Sequence, residues 1–186
     1  MTICFTGAHG TGKTTLARAI LPGVNKLAKD KGLKPFSLIV GTTREAMEVF
    51  EDAFEKPVNE ATIVGYRLYK MAQTGNNIII DRGLWDPIAY AGIYNSLDGQ
   101  TFYLLNQAVF YILRKIPHQI FYLPIAINLI DDGVRSTDLK LQMQVDIEIK
   151  AWLNQTKMSY ITVESVSLGE RITEVLNHLS INLETR

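Results

Sequence analysis

The sequence predicts an α/β fold with a mainly parallel sheet covered by helices on both faces, and three observations carry that reading. Short apolar runs of strand length alternate along the chain with longer stretches of helical periodicity, the order that gives parallel strands joined by crossover helices. A glycine-rich segment, Gly7-Ala-His-Gly-Thr-Gly-Lys-Thr14, stands between the first such run and the first helical stretch, where phosphate groups are ordinarily cradled. Most of the polar clusters that follow fall at the C-terminal ends of the apolar runs, the edge at which such sheets bind ligands.

Each element has its own signal. Thr2-Ile3-Cys4-Phe5-Thr6 is β-branched and apolar and reads as a buried strand. Lys13 to Ile20 carries Leu16, Ala17 and Ile20 at helical spacing; Pro22-Gly23 is expected to end that helix, and a second is expected from Val24 to Lys31. Phe36 to Val40 is strand two. Gly41-Thr42-Thr43 turns the chain into a helix starting near Arg44, and Lys56-Pro57 separates it from another over Val58 to Gln73, with Val64, Leu68, Met71 and Ala72 on one side. Asn77 to Asp81 is an apolar strand ending in a carboxylate. Asp86-Pro87 predicts a helix start, with Asp86 as N-cap and Pro87 at the first helical position. A helix over Thr101 to Lys115, strand four over Gln119 to Leu123 and strand five over Tyr160 to Val163 follow. Ser167-Leu-Gly-Glu170 matches a capping box and opens the last helix.

Bulk properties narrow the function classes. At 186 residues and 47% apolar composition the chain suits one domain, residues 1 to 186, with a full core. Lys plus Arg equals Asp plus Glu at 19 each, which disfavours a protein whose main task is coating nucleic acid. Cys4 is the single cysteine, so neither a disulfide framework nor a zinc site is expected, and a cytoplasmic location fits. The first strand is expected from residue 2, so no signal peptide is expected. The run Ile120 to Ile130 is short and interrupted by Pro124 and Asn128, so no membrane span is expected.

The glycine-rich segment fits G-x-x-x-x-G-K-[ST] at each fixed position. In that arrangement Gly7, Ala8, His9, Gly10, Thr11, Gly12, Lys13 and Thr14 form the nucleotide-binding loop. Backbone N–H groups curl round the β-phosphate, Lys13 neutralises the β/γ oxygens, and the Thr14 hydroxyl holds Mg²⁺. ATP and Mg²⁺ are therefore the expected cofactors. His9 sits at a variable position and reads as an exposed, incidental imidazole.

Asp81-Arg82 ends the third apolar strand. Asp81 is placed to bind or lie near Mg²⁺ or to accept a proton from an attacking hydroxyl, and Arg82 to bridge phosphoryl oxygens in a bidentate way. The plain alternative is an ion pair closing the sheet edge. Arg44 and Glu45, beyond strand two, are candidates for substrate contact, against a simple charged first helical turn. Arg67 lies off the apolar stripe of its helix, either on an acceptor phosphate or solvated. Asp131-Asp132-Gly133-Val134-Arg135-Ser136 falls where a lid over about residues 131 to 140 would lie, with Arg135 as a catalytic arginine delivered on closure. The alternative there is a turn followed by a helix capped near Thr137. Trp85 and Tyr90 are close enough in sequence to Asp81 to stack on a base or shape its pocket, whereas Tyr66, Tyr69, Tyr94, Phe110 and Tyr111 read as packing residues. His118 and His178 read as surface residues.

Together these residues resemble the P-loop kinases of the nucleoside and nucleotide kinase superfamily. Thr43-Arg44-Glu45 and Asp81-Arg82, with Ala89-Tyr90-Ala91-Gly92, resemble the thymidylate kinases, in which T-R-E follows strand two and D-R is followed by A-Y-Q-G. That resemblance implies that Arg44 and Arg82 meet the acceptor phosphate or the γ-phosphate, and that Glu45 or Asp81 organises Mg²⁺. Arg67, after Gly65-Tyr66, is similar to that family's helix arginine. The chain departs from the pattern at Ala46, where the family has P-G-G, and at Ala91, where it has Gln. Asp132-Gly133-Val134-Arg135-Ser136 is similar to the D-G-L-R-S lid of the ribosylnicotinamide kinase-like AAA-type ATPases, whose acceptor is an unphosphorylated nucleoside hydroxyl. The compact length and mixed motifs are also similar to bacteriophage-encoded kinases, some of which serve nucleotide supply or DNA base modification; for such a protein the location would be the host cytoplasm.

The resemblances imply a P-loop NTPase kinase fold with a five-stranded parallel sheet and a small lid, and ATP-dependent phosphoryl transfer with Mg²⁺. Four arginines (Arg44, Arg67, Arg82 and Arg135) favour an acceptor that already carries phosphate, a nucleoside monophosphate. A nucleoside or nicotinamide riboside, a hydroxylated base in DNA, and an ATPase regulator without an acceptor are the alternatives. The expected partner is a small-molecule acceptor rather than nucleic acid or a membrane, with a homodimer left open.

Overall fold

The computed structural model describes residues 1–54, 59–116, 118–126 and 138–182. In chain order it contains β1 (Thr2–Thr6), α1 (Lys13–Asp30), β2 (Ser37–Ile39), α2 (Thr42–Phe54), α3 (Glu60–Thr74) and β3 (Ile78–Ile80). Then come α4 (Asp86–Tyr94), α5 (Gly99–Lys115), β4 (His118–Tyr122), α6 (Leu139–Gln155), β5 (Tyr160–Thr162) and α7 (Leu168–Asn182). The five strands form one sheet in the order β2-β3-β1-β4-β5, parallel throughout, with Cys4 opposite Ile80 on one side and Ile120 on the other. The predicted α/β architecture is the observed one.

Alternation along the strands divides the core in two. Cys4, Ile78, Ile80, Ile120 and Tyr122 point to one face and pack against α3, α4, α5 and α6. Ile3, Phe5, Ile79 and Phe121 point to the other and pack against α1 and α7, with Phe5 stacked on Phe121 at 5.7 Å. A strand buried on both faces needs apolar residues at every position, which is why Ile78-Ile79-Ile80 shows no polar alternation. The chain leaves β1 for α1 on one face and leaves neighbouring β3 for α4 on the other. A crevice therefore opens between the C-terminal ends of β1 and β3, where ligands of such sheets bind.

Several boundaries differ from expectation, each for a local reason. Pro22-Gly23 does not end a helix: α1 runs through it, with Pro22 on the solvent side. Gly23 sits where α7 packs close; a Cβ on it would stand 2.7 Å from Leu176 Cδ1, so that side chain would have to shift. The helix expected from Val58 starts at Glu60, because the Asn59 carbonyl oxygen Oδ1 caps it by accepting from Thr62 N at 3.0 Å. The helix expected from Thr101 starts at Gly99 under an Asp98 cap that accepts from Gln100 N and Thr101 N. Asp86 is not the cap of α4. Trp85 holds that place without a side-chain cap bond, and the Asp86 carboxylate turns back to β1. The capping box expected before α7 is half formed: Ser167 Oγ accepts from Glu170 N at 3.3 Å, but Glu170 Oε2 accepts from the Ser167 hydroxyl at 2.6 Å rather than from its backbone N–H. Of the lid expected over about residues 131 to 140, residues 131–137, with Arg135 and the cap near Thr137, lie outside the described residues, while 138–140 form the cap and first turn of α6. Asp138 caps α6, accepting from Lys140 N and Leu141 N. Among the described residues no helix is long and apolar enough to cross a membrane.

Candidate active site

The loop after β1 is shaped by what a side chain would strike. Gly7 has φ 138°, and a Cβ on it would lie 2.3 Å from the Leu123 carbonyl oxygen, so the turn out of β1 requires glycine. Thr11 Oγ1 closes the loop by donating to Ala8 O at 3.0 Å. Lys13, 4% exposed, donates its ammonium to Ala8 O and to Thr11 Oγ1. A cavity of about 50 Å³ is lined by Gly10, Gly12, Lys13, Thr14, Thr15 and Arg82. No acid occupies the first turn of α1, which opens instead on Lys13. A cation at the positive end of a helix dipole is unfavourable by itself and is relieved by an anion bound there.

The end of β3 supplies the opposite wall. Asp81 is buried; its Oδ2 accepts from Thr14 Oγ1 at 2.6 Å, while its Oδ1 is buried with no hydrogen-bond partner. Asp86, 1% exposed, accepts from Thr6 Oγ1 at 2.6 Å through Oδ1, and its Oδ2 is likewise orphaned. Burial pushes the Asp86 carboxyl above the usual carboxylate range, while Lys13, the Thr6 hydroxyl, Arg82 and Arg67 pull it the other way. Arg82 is half-buried. Desolvation works against its charge, but Tyr90, Asp86 and Asp81 hold its pKa above the ordinary value. Tyr90 in turn has its hydroxyl 3.1 Å from His9 Nδ1.

A cleft of about 400 Å³ opens beside this pair, large enough for a small organic ligand. Its lining comes from α1 (Thr14, Arg18), Gly41 and the first turn of α2 (Thr42 to Arg44), α3 (Glu60, Ile63, Arg67), the end of β3 (Asp81, Arg82) and α4 (Pro87, Tyr90, Tyr94). Thr14 and Arg82 line both cavities, so the small cavity and the larger cleft meet at these two residues.

A sequence profile for the AAA domain matches residues 2–171. The chain belongs to the AAA domain family. No curated protein matches it in sequence, but solved structures share the fold. Deoxyadenosine kinase from M. mycoides, with dCMP and dCDP bound, is 16% identical with a TM-score of 0.57, covering 98% of this chain and all of that one. Thymidylate kinase from Ehrlichia chaffeensis is 19% identical with a TM-score of 0.60, covering 96% and 98%. The NadR protein in complex with NR is 18% identical with a TM-score of 0.68; the match covers all of this chain and 52% of NadR.

Within this family member the structure assembles some of the sequence-predicted residues and separates others. Thr14, Arg44, Asp81, Arg82 and Tyr90 face the cleft. Glu45 is not among the described lining residues; its carboxylate pairs with Lys70 at 2.9 Å and accepts from Tyr66 Oη at 3.2 Å. Trp85 is no base-stacking platform. It is 1% exposed, lies face to face with Trp152 at 5.3 Å, and donates Nε1–H to Thr6 Oγ1 at 2.8 Å. His9 is buried rather than exposed, and its carbonyl accepts from Gln142 Nε2 at 2.7 Å. Tyr94, read as packing, is 55% exposed and lines the cleft. Tyr69 and Tyr111, also read as packing, are exposed.

Arg67 is the largest correction: it is fully buried, not solvated. It donates Nε–H to Thr42 Oγ1 at 3.0 Å and Nη1–H to Gly83 O, fastening the β2–α2 turn to the end of β3. Desolvation pulls its pKa to about 10, against the attraction of Asp86. Removing it would strand buried carboxylates without this cation. Arg67→Ala is expected to lower unfolding stability by about 3 kcal/mol or more, read as the denaturant midpoint at unchanged slope. A loss below about 1 kcal/mol would show that the cation is not needed for the fold.

Proposed function

We propose that the protein is an ATP-dependent phosphotransferase that moves the γ-phosphoryl group onto a nucleoside monophosphate-like acceptor, with Mg²⁺. The observation that carries this reading is the shared lining: Thr14 and Arg82 belong to both the small cavity and the cleft. A donor phosphate in the former and an acceptor in the latter would meet there, as in-line transfer requires. The kinases with this fold support the same reading. Arg18, Arg44 and Arg82 line the cleft against Glu60 and Asp81, with the buried Arg67 behind them, an excess of cations suited to an acceptor with its own phosphate. Arg135 stays part of the proposal as the arginine of a lid.

Mg²⁺ fits the donor atoms at the junction. The orphaned Asp81 Oδ1 and the Thr14 hydroxyl bonded to the same carboxylate are oxygen donors, and Mg²⁺ is ordinarily held by one or two such groups together with phosphates. No group of three His, Cys, Asp or Glu residues among the described residues forms a ready cage. Thr14 and Asp81 would hold the ion, which supplies charge neutralisation on the phosphoryl oxygens. Lys13 and the loop N–H groups orient the donor, Arg82 bridges toward the acceptor, and Tyr90 fixes Arg82.

A second reading, transfer to a nucleoside hydroxyl, is favoured by the same Asp81 Oδ1, a buried carboxylate oxygen available to take a hydroxyl proton. ADP release measured against nucleosides, nucleoside monophosphates and hydroxylated DNA separates the two. Strong stimulation by monophosphates, lost selectively in Arg44→Ala, is the expected result. Preference of the wild type for nucleosides or for hydroxylated DNA overturns the monophosphate assignment. Turnover indifferent to every acceptor overturns the kinase reading.

A further inference from the structure

Arg171, on the first turns of α7, is 2% exposed and has no place in the sequence-based reading of the site. Its guanidinium donates Nη1–H to the carbonyl of Thr11 in the nucleotide loop at 2.8 Å, across 160 residues of sequence. It donates Nε–H to Ser165 O at 2.8 Å. One turn on, the Glu174 carboxylate accepts from Glu164 N and Ser165 N, both at 3.1 Å. The helix thus grips the connection after β5 through both its donors and its acceptor, and reaches the nucleotide loop with the same guanidinium. Burial pulls the Arg171 pKa below the ordinary value, with Glu174 acting against it, so the contact is held at a desolvation cost.

The target of that cation is specific. A trans peptide is planar, with C=O and N–H pointing in opposite directions. Drawing the Thr11 carbonyl toward Arg171 sends the N–H of Gly12 the other way, and Gly12 lines the small cavity beside Lys13. Gly12 sits at φ 87° and ψ 12°, a left-handed conformation that glycine enters without a Cβ to restrict it. Leu16 N holds the Gly12 carbonyl at 2.9 Å, and the Arg171 bond holds the preceding peptide at its Thr11 carbonyl. A charged donor on the carbonyl makes the stronger kind of hydrogen bond and polarises the peptide toward a better N–H donor. We propose that Arg171 is a positioning residue for the donor nucleotide: it aims the Thr11–Gly12 peptide so that the Gly12 N–H meets a phosphate oxygen, and ties the loop after β5 to the same point. This rests on the assignment of the nucleotide loop as the donor site.

The test uses the full chain as wild type, Arg171→Met, Arg171→Lys and Arg171→Ala, with MgATP as probe. Arg171→Met is expected to weaken ATP about tenfold or more, the cost of one charge-assisted bond. Its KM for the acceptor stays unchanged, and the Gly12 amide resonance moves in an ¹⁵N–¹H spectrum. Arg171→Lys retains part of the affinity. Millimolar guanidinium restores ATP binding to Arg171→Ala but not to Arg171→Met, whose side chain fills the space. ATP affinity within about twofold of wild type in folded Arg171→Met overturns the inference. So does a loss that neither lysine nor guanidinium recovers and that leaves the Gly12 resonance in place, since that is a purely structural effect. Should Arg171→Met fail to fold, the lysine variant and the guanidinium titration decide. A wild type that does not bind ATP overturns the donor-site assignment and this inference with it; normal wild-type binding with unaffected variants overturns this inference alone.

Discussion

Lys13→Ala is expected to reduce phosphoryl transfer by about a hundredfold or more while the protein stays folded. The ammonium is fixed inside the loop by Ala8 O and Thr11 Oγ1, at the end of α1 where phosphate charge would sit. Losing one such preorganised electrostatic contact typically costs about 2.7 kcal/mol or more in the barrier. The fold should tolerate the change, because alanine is the best helix former and Lys13 opens α1. The removal also takes away the main attraction that lowers the Asp86 pKa, so that carboxyl should move further up. Single-turnover rates alongside thermal unfolding check both halves. Turnover near wild type in a folded variant would remove the loop lysine from the mechanism.

The glycine-rich loop proposed to hold the donor nucleotide was legible because its pattern is local. Eight consecutive residues carry the glycines, the cation and the hydroxyl, the groups that a bound phosphate would require. The sheet was legible for a similar reason: Thr2–Thr6 and Ile78–Ile80 are short, apolar and followed by polar ends, as doubly covered parallel strands must be. What a local reading misses is where a polar side chain goes when its partner is distant in sequence. Asp86 before Pro87 looks like a helix cap, yet its carboxylate serves Thr6, 80 residues away. Arg67 looks like a solvated helical residue until the β2–α2 turn and Gly83 close around it. Arg171 follows a Ser167–Glu170 capping pattern that draws the local reading to the helix start, and its bond to Thr11, 160 residues away, has no local signal.

Trp85 shows the opposite failure. Proximity to Asp81 in sequence suggested a role on a ligand base, but a strand end turning into a helix also has to close the core beneath the site. Trp85 does this with Trp152, and Trp152 is pinned by Nε1–H to Asn106 Oδ1 at 2.7 Å. Its indole N–H, through Thr6, steadies Asp86 instead of touching the cleft. Tyr90, one helical turn along from Asp86, and Tyr94, one turn further, are aromatics that do face the cleft.

Asp81→Asn is expected to lower kcat by about a hundredfold or more while weakening ATP binding far less. The substitution keeps the shape that fills the end of β3 and removes the charge. Asp81 Oδ2 is bonded to Thr14 Oγ1, and Oδ1 is the buried oxygen left without a protein partner. An amide can still accept from the Thr14 hydroxyl through its oxygen, so the loop and its nucleotide contacts should persist. It cannot hold a cation or take a proton at the position of Oδ1, and those are the tasks proposed for that atom. Their loss falls on the reacting state more than on nucleotide binding, the pattern of an interaction made mainly in the transition state. General-base loss and loss of metal positioning each reach this size. The two separate by acceptor: a base is needed for a hydroxyl, whereas a phosphate oxygen is already a nucleophile. A deficit confined to nucleoside acceptors would mark Asp81 as the base, and an equal deficit with monophosphates would mark it as the ion's ligand. Collapse of ATP affinity with normal turnover at saturation would contradict both roles and make Asp81 a support for the loop.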